Sequence, residues 1–299
     1  MSTDKDHTSD ERANRIRNHV LIIIGTLPVL LTVLHFGLPE STHQALVFDH
    51  SSFPSYTVFT GAFVHASNMH LYGNLAGYAM TIVYAYALTS NSDGLRWFRR
   101  TLLISVFALP VLTNLTSYAV ISWQYPSAAP VSRGFSGVVG GFGGVLLVAL
   151  YRTLRVKYNS AVAWTVGLCL FLILMQLIDI QYTGGLRLAV TGLVGASIVL
   201  LTGLYVYEDG ISTDPVDIQR VGFGGLLVGL VAVVLSVLVL ALFPTASTLV
   251  DDGTFTNIFA HAAGFLWGII LSGGLLVEDE ELSLRKLVRY SSRRLGLRN

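Results

Sequence analysis

Charge is scarce in this chain of 299 residues. Asp, Glu, Lys and Arg make up 12% of it, against about 25% in soluble globular domains. A net charge of +1 leaves no basic excess to neutralise phosphates, which argues against nucleic acid as a partner. The one cysteine, Cys169, lies inside an apolar run, so no intramolecular disulfide can form. Neither a His-Glu-x-x-His pattern nor a pair of thiols is present, so a metal centre has no recognisable ligand set and no cofactor is expected. The amino terminus lacks the short apolar core of a cleaved signal peptide.

Apolar residues are what the chain has in quantity: 53% of it is hydrophobic, with a mean hydropathy of +0.62. A helix needs roughly 20 apolar residues to cross the hydrocarbon layer. Eight segments approach that length, at about 20–38, 68–89, 101–122, 135–151, 160–178, 186–206, 220–243 and 255–277. These predict an all-α polytopic membrane protein. Its expected organisation is a disordered cytosolic arm over 1–18, a membrane domain over 19–277 and a charged cytosolic tail over 278–299. With the amino terminus in the cytosol, every Lys and Arg except Arg133 and Arg187 falls on the cytosolic side. Such asymmetry orients membrane proteins, and it predicts cytosolic placement of both termini.

Polar side chains within apolar spans are costly and usually face a protein interior. Three clusters stand out. "FVHASNMHLYGN" brings His65, His70 and Asn74 to the start of the second span, the last two on one helical face. "SRGFSGVVGGFGG" sets Ser136 among six glycines at the start of the fourth. "NIFAHAAGFLWG" sets Asn257 and His261 at the start of the eighth. All three spans are even-numbered and run from outside to inside, so the clusters share one depth below the outer surface.

The chemistry available there is specific. A serine hydroxyl becomes nucleophilic when a neutral imidazole takes its proton, and His261 is the candidate base for Ser136. His70, Asn74 and the Ser136 backbone N–H can supply donors to a developing oxyanion. Each residue also has a packing reading: Ser136, Gly140 and Gly144 form a small-residue stripe of the kind that joins membrane helices. With Gly137 and Gly141 beside it, the stripe brings span four close enough for Ser136 to reach its base.

These segments resemble the rhomboid family of intramembrane serine proteases. "HASNMHLYGN" is similar to the family's second-helix pattern, with His70 followed four residues later by Asn74 and preceded by His65. "GFSG", Gly134 to Gly137, is similar to its G-x-S-G nucleophile motif, and "AHAAGFLWG" to its last-helix A-H-x-x-G-x-x-x-G pattern, which includes Gly264. The resemblance implies a Ser136–His261 dyad, an oxyanion hole at His70, Asn74 and the Ser136 N–H, and no third acidic residue. Asn257, one turn before His261, is placed to orient the imidazole. The implied function is cleavage of peptide bonds in or near transmembrane segments of membrane-protein substrates, in a multi-pass protein of the plasma membrane with the bilayer as its other partner.

The chain departs from the family in three ways. Three apolar segments, rather than one, separate Ser136 from His261; two extra helices preserve the direction in which His261 enters. The loop 39–67 has neither Trp nor Arg, and Gly140 stands where some members carry an aromatic that stacks on the histidine. The competing readings are a non-catalytic relative that binds transmembrane segments and a small transporter. The transporter reading lacks an internal repeat and an intramembrane acidic pair.

Overall fold

The computed structural model describes residues 3–90, 94–126, 130–209, 215–245, 250–251, 254–255 and 257–294. Eight long helices dominate: α1 (Thr3–Gly37), α4 (Asn68–Ser90), α5 (Leu95–Gln124), α6 (Ser136–Lys157), α7 (Ser160–Thr183), α8 (Leu188–Asp209), α9 (Pro215–Leu242) and α10 (Ile258–Arg294). Between α1 and α4 lie two short helices, α2 (Glu40–Ala45) and α3 (Thr57–Thr60). Strand β1 (Phe48–Asp49) pairs antiparallel with β2 (Val131–Ser132), Phe48 opposite Ser132. A second small ribbon joins β3 (Val250–Asp251) to β4 (Thr254–Phe255).

Among the described residues, seven helices are long and apolar enough to cross a membrane, which makes this a multi-pass membrane protein. The eighth expected span, α4, is not among them, although it is a continuous helix of 23 residues. Its four tyrosines (72, 78, 84 and 86), with Asn68, His70 and Asn74, dilute its hydropathy. α1 begins at Thr3 and runs without a break from the amino-terminal arm into the first span.

α6 is the centre of the bundle. Of its most apolar stretch, 89% is buried inside the protein, whereas none of that of α8 is. Its glycines explain the position. A side-chain carbon added at Gly264 or Gly268 of α10 would collide with the backbone carbonyl of Gly137 or Gly141 on α6, and one at Gly144 with that of Phe265. The two backbones touch directly. In a bilayer, where lipid chains are as apolar as leucine, such close van der Waals packing is what draws helices together. Polar ties fix the outer ring: Trp97 of α5 donates to the Ser272 carbonyl at 3.0 Å, and Trp267 of α10 to Thr116 Oγ1 at 2.9 Å. Arg100 of α5 pairs with Glu278 and Asp279 of α10.

α6 turns sharply into α7. The Asn159 side chain accepts the Val162 N–H at 2.8 Å, a standard N-cap. α7 then ends on Gly184 in the left-handed conformation (φ +74°), a common helix terminator.

Candidate active site

The nucleophile candidate is placed by the residues just before it. β2 leads into Gly134, whose φ of +112° suits glycine. Its N–H donates to the Gly61 carbonyl at 3.0 Å. Phe135, fully buried against Phe63, Tyr78 and Phe142, anchors the turn. Its N–H is directed at His65 Nε2 at 3.4 Å. Burial, reinforced by the neighbouring His70, pushes the His65 pKa down to about 3, so the ring is neutral and free to accept. Ser136 is the first residue of α6, so its N–H has no carbonyl to meet within the helix and lies at the positive end of the helix dipole.

His261 is buried one turn into α10. Its Nδ1 lies 2.6 Å from the Leu242 carbonyl, and its Nε2 lies 2.8 Å from Ser136 Oγ. A carbonyl can only accept, so Nδ1 carries the proton and Nε2 presents its lone pair to the serine hydroxyl. That separation falls within the reach a nucleophile and its base need. The group that orients the imidazole is therefore a backbone carbonyl at the end of α9. Here the structure corrects the expectation for Asn257. Its Oδ1 accepts from Ser117 Oγ at 2.9 Å and from the Ala260 N–H at 3.1 Å, and its Nδ2 donates to Ser132 Oγ at 3.1 Å. Its amide is committed to those three partners, and the proton on His261 Nδ1 goes to Leu242.

The aromatic missing at position 140 has a substitute. Phe243 presents its ring to His261 at 82° with centroids 6.1 Å apart. A side chain at Gly140 would instead press on the His261 carbonyl, 2.8 Å away. Leu242 and Phe243 are site residues that the sequence reading missed. The available signal was Pro244, which ends the helix before it and leaves its last carbonyls without intrahelical partners.

α4 supplies the facing wall. The His70 ring packs directly on Gly134, and Gly77 packs on Val139. Asn74 lies on the same face between these two contacts, alongside the start of α6. It is buried, and its Nδ2 has no acceptor. A buried amide donor without a partner is unusual, and it leaves Asn74 Nδ2 free to meet an acceptor.

Compared with protein-family models, curated proteins and solved structures, the chain matches none.

The geometry therefore carries the chemical argument by itself. Four segments far apart in sequence converge: α4 with His70 and Asn74, the α6 start with Ser136, the α9 end with Leu242 and Phe243, and α10 with His261. An apolar cavity of about 170 Å³ lies beside the imidazole, walled by Leu174, Met175, Leu238, Phe243 and Leu266. Apolar walls keep the local dielectric low and strengthen each hydrogen bond at the site.

His70 also ends a row of imidazoles. His43, His35, His65 and His70 follow one another with ring centroids 5.7, 6.1 and 5.3 Å apart. Among the described residues, no three His, Cys, Asp or Glu side chains come together as a metal site.

Proposed function

We propose that this chain is an intramembrane serine protease of the rhomboid type, cleaving peptide bonds in or near transmembrane segments of other membrane proteins. The observation that carries the reading is the Ser136–His261 contact at 2.8 Å, made by an imidazole whose other nitrogen is held at 2.6 Å by a carbonyl. The lone pair of the base is thereby aimed at the nucleophile.

In this reading Ser136 Oγ attacks the scissile carbonyl as its proton passes to His261 Nε2. The imidazolium is stabilised by the Leu242 carbonyl, which holds its second N–H. The oxyanion is met by Asn74 Nδ2, the His70 ring and the Ser136 N–H. Collapse breaks the C–N bond, and the Nε2 proton goes to the leaving amine. A water molecule then gives its proton to Nε2 and attacks the ester, releasing a carboxylate and restoring Ser136. A helical substrate must unwind locally to offer its carbonyl. The distribution of Lys and Arg supports cytosolic termini and a site near the outer face; the plasma-membrane setting belongs to the rhomboid reading.

The test is a fluorophosphonate probe applied to the purified full chain. Labelling is expected on wild type and absent from Ser136→Ala and His261→Ala. Labelling that survives in Ser136→Ala would remove the nucleophile assignment. A folded wild type that takes no label would favour the non-catalytic relative.

A further inference from the structure

The segments bearing the dyad are joined a second time, four residues upstream. Ser132 precedes Ser136 by four residues and Asn257 precedes His261 by four, and Asn257 Nδ2 donates to Ser132 Oγ at 3.1 Å. The same amide binds α5 through Ser117 and caps its own helix through the Ala260 N–H. On its other side Ser132 Oγ meets His50 Nε2 at 2.9 Å, which brings in the loop after β1. His50 and Ser132 are both buried. Four segments that share no helix therefore meet at one hydroxyl and one amide.

We propose that Ser132 and Asn257 are positioning residues that set the Ser136–His261 separation, with His50 and Ser117 as their outer anchors. The proposal rests on the protease reading of the dyad. Its physical basis is closeness along both chains. The backbone hydrogen bonds of β2 and those of the first turn of α10 do not tie these two segments to each other. The Ser132–Asn257 bond ties them four residues before each member of the dyad. Downstream, glycine contacts between α6 and α10 hold the helix bodies together. Upstream, this hydrogen bond closes the other end.

The test follows the rate of fluorophosphonate labelling of Ser136 in the full chain, with melting temperature measured in the same detergent. Ser132→Ala and Asn257→Ala are each expected to slow labelling between about 10- and 100-fold, the range for a displacement of an ångström or less. The double variant is expected to be slowed by less than the product of the two single effects, since the two share the Ser132–Asn257 bond. Ser132→Thr, which keeps the hydroxyl, is expected to recover most of the rate. The pH at which labelling falls to half is also expected to move in Asn257→Ala, because the hydrogen bond between His261 and Ser136 lengthens. Loss of packing alone would lower the plateau without moving that midpoint.

Where Asn257→Ala does not fold, Ser132→Ala and Ser132→Thr carry the test. Wild-type rates in both alanine variants would overturn the proposal and leave the protease reading intact. So would a loss that tracks melting temperature with no recovery in Ser132→Thr. A wild type that takes no label would overturn the protease reading first, and the proposal with it.

Discussion

Two serines four residues apart each meet a histidine in this molecule, and the two contacts hardly differ in length. Ser136 Oγ stands 2.8 Å from His261 Nε2, and Ser132 Oγ stands 2.9 Å from His50 Nε2. Distance does not separate a nucleophile from a structural hydroxyl; the remaining partners do. Ser132 Oγ already accepts from Asn257, whereas Ser136 opens a helix whose N–H groups point outward. The far nitrogen of His261 is held by a carbonyl that would stabilise its charged form. The far nitrogen of His50 is buried with no partner. Only the first imidazole has an acceptor in place to hold its second N–H when it takes a proton.

Swapping the serines should break the comparison most sharply. Ser136→Ala is expected to reduce turnover by roughly 10³-fold or more, while Ser132→Ala still labels at Ser136, slowed only as described above. Mass spectrometry of the labelled peptide separates the two. The helix contact comes next. Gly268→Leu would force α10 away from the Gly141 carbonyl, and labelling should vanish while helical circular dichroism persists; normal labelling would remove the close-packing argument. Asn74→Ala tests the donor that the Ser136 pair has at its side. Loss of one oxyanion donor should lower kcat by about 10²–10³-fold with KM little changed, and an unaltered kcat would take Asn74 out of the site.

The smallest effect concerns acid. Burial lowers the pKa values of His43, His50 and His65 from the usual 6.5. The unfolded chain therefore binds protons that the folded one refuses. Stability should be complete above about pH 6.5 and fall as the pH drops below it. Thermal unfolding at pH 7.5 and pH 5 checks the sign. His50→Leu should lose less stability between those two values than wild type, without moving the label from Ser136.

The side chains of the candidate site were legible because rare residue types mark them. A serine among glycines, a histidine four before an asparagine and a histidine before two spaced glycines are conspicuous in an apolar chain. The long helices were legible for the same reason, since apolar runs of that length have few other uses. What escaped notice was carried by backbone. The Leu242 carbonyl orients the imidazole, and any residue type would supply one. Spacing put Asn257 on the His261 face, yet spacing says nothing of β2 arriving from 125 residues away to take its amide. The pairing of β1 with β2 spans two residues on each strand, too short for a periodic signal. α4 shows the reverse limit: Tyr78 fills the bundle while Tyr84 and Tyr86 pack at its margin, so a helix packed against the core reads as only moderately apolar.

The contact between α6 and α10 also bears on biosynthesis. Three helices lie between those bearing Ser136 and His261, and the glycines of α6 that meet backbone of α10 lack that partner until α10 arrives. A nascent chain thus holds the hydroxyl without its base, in a helix whose packing is unfinished. The Ser136–His261 pair comes into being only once α10 has joined α6, so a product stalled before α10 would carry Ser136 as an ordinary alcohol.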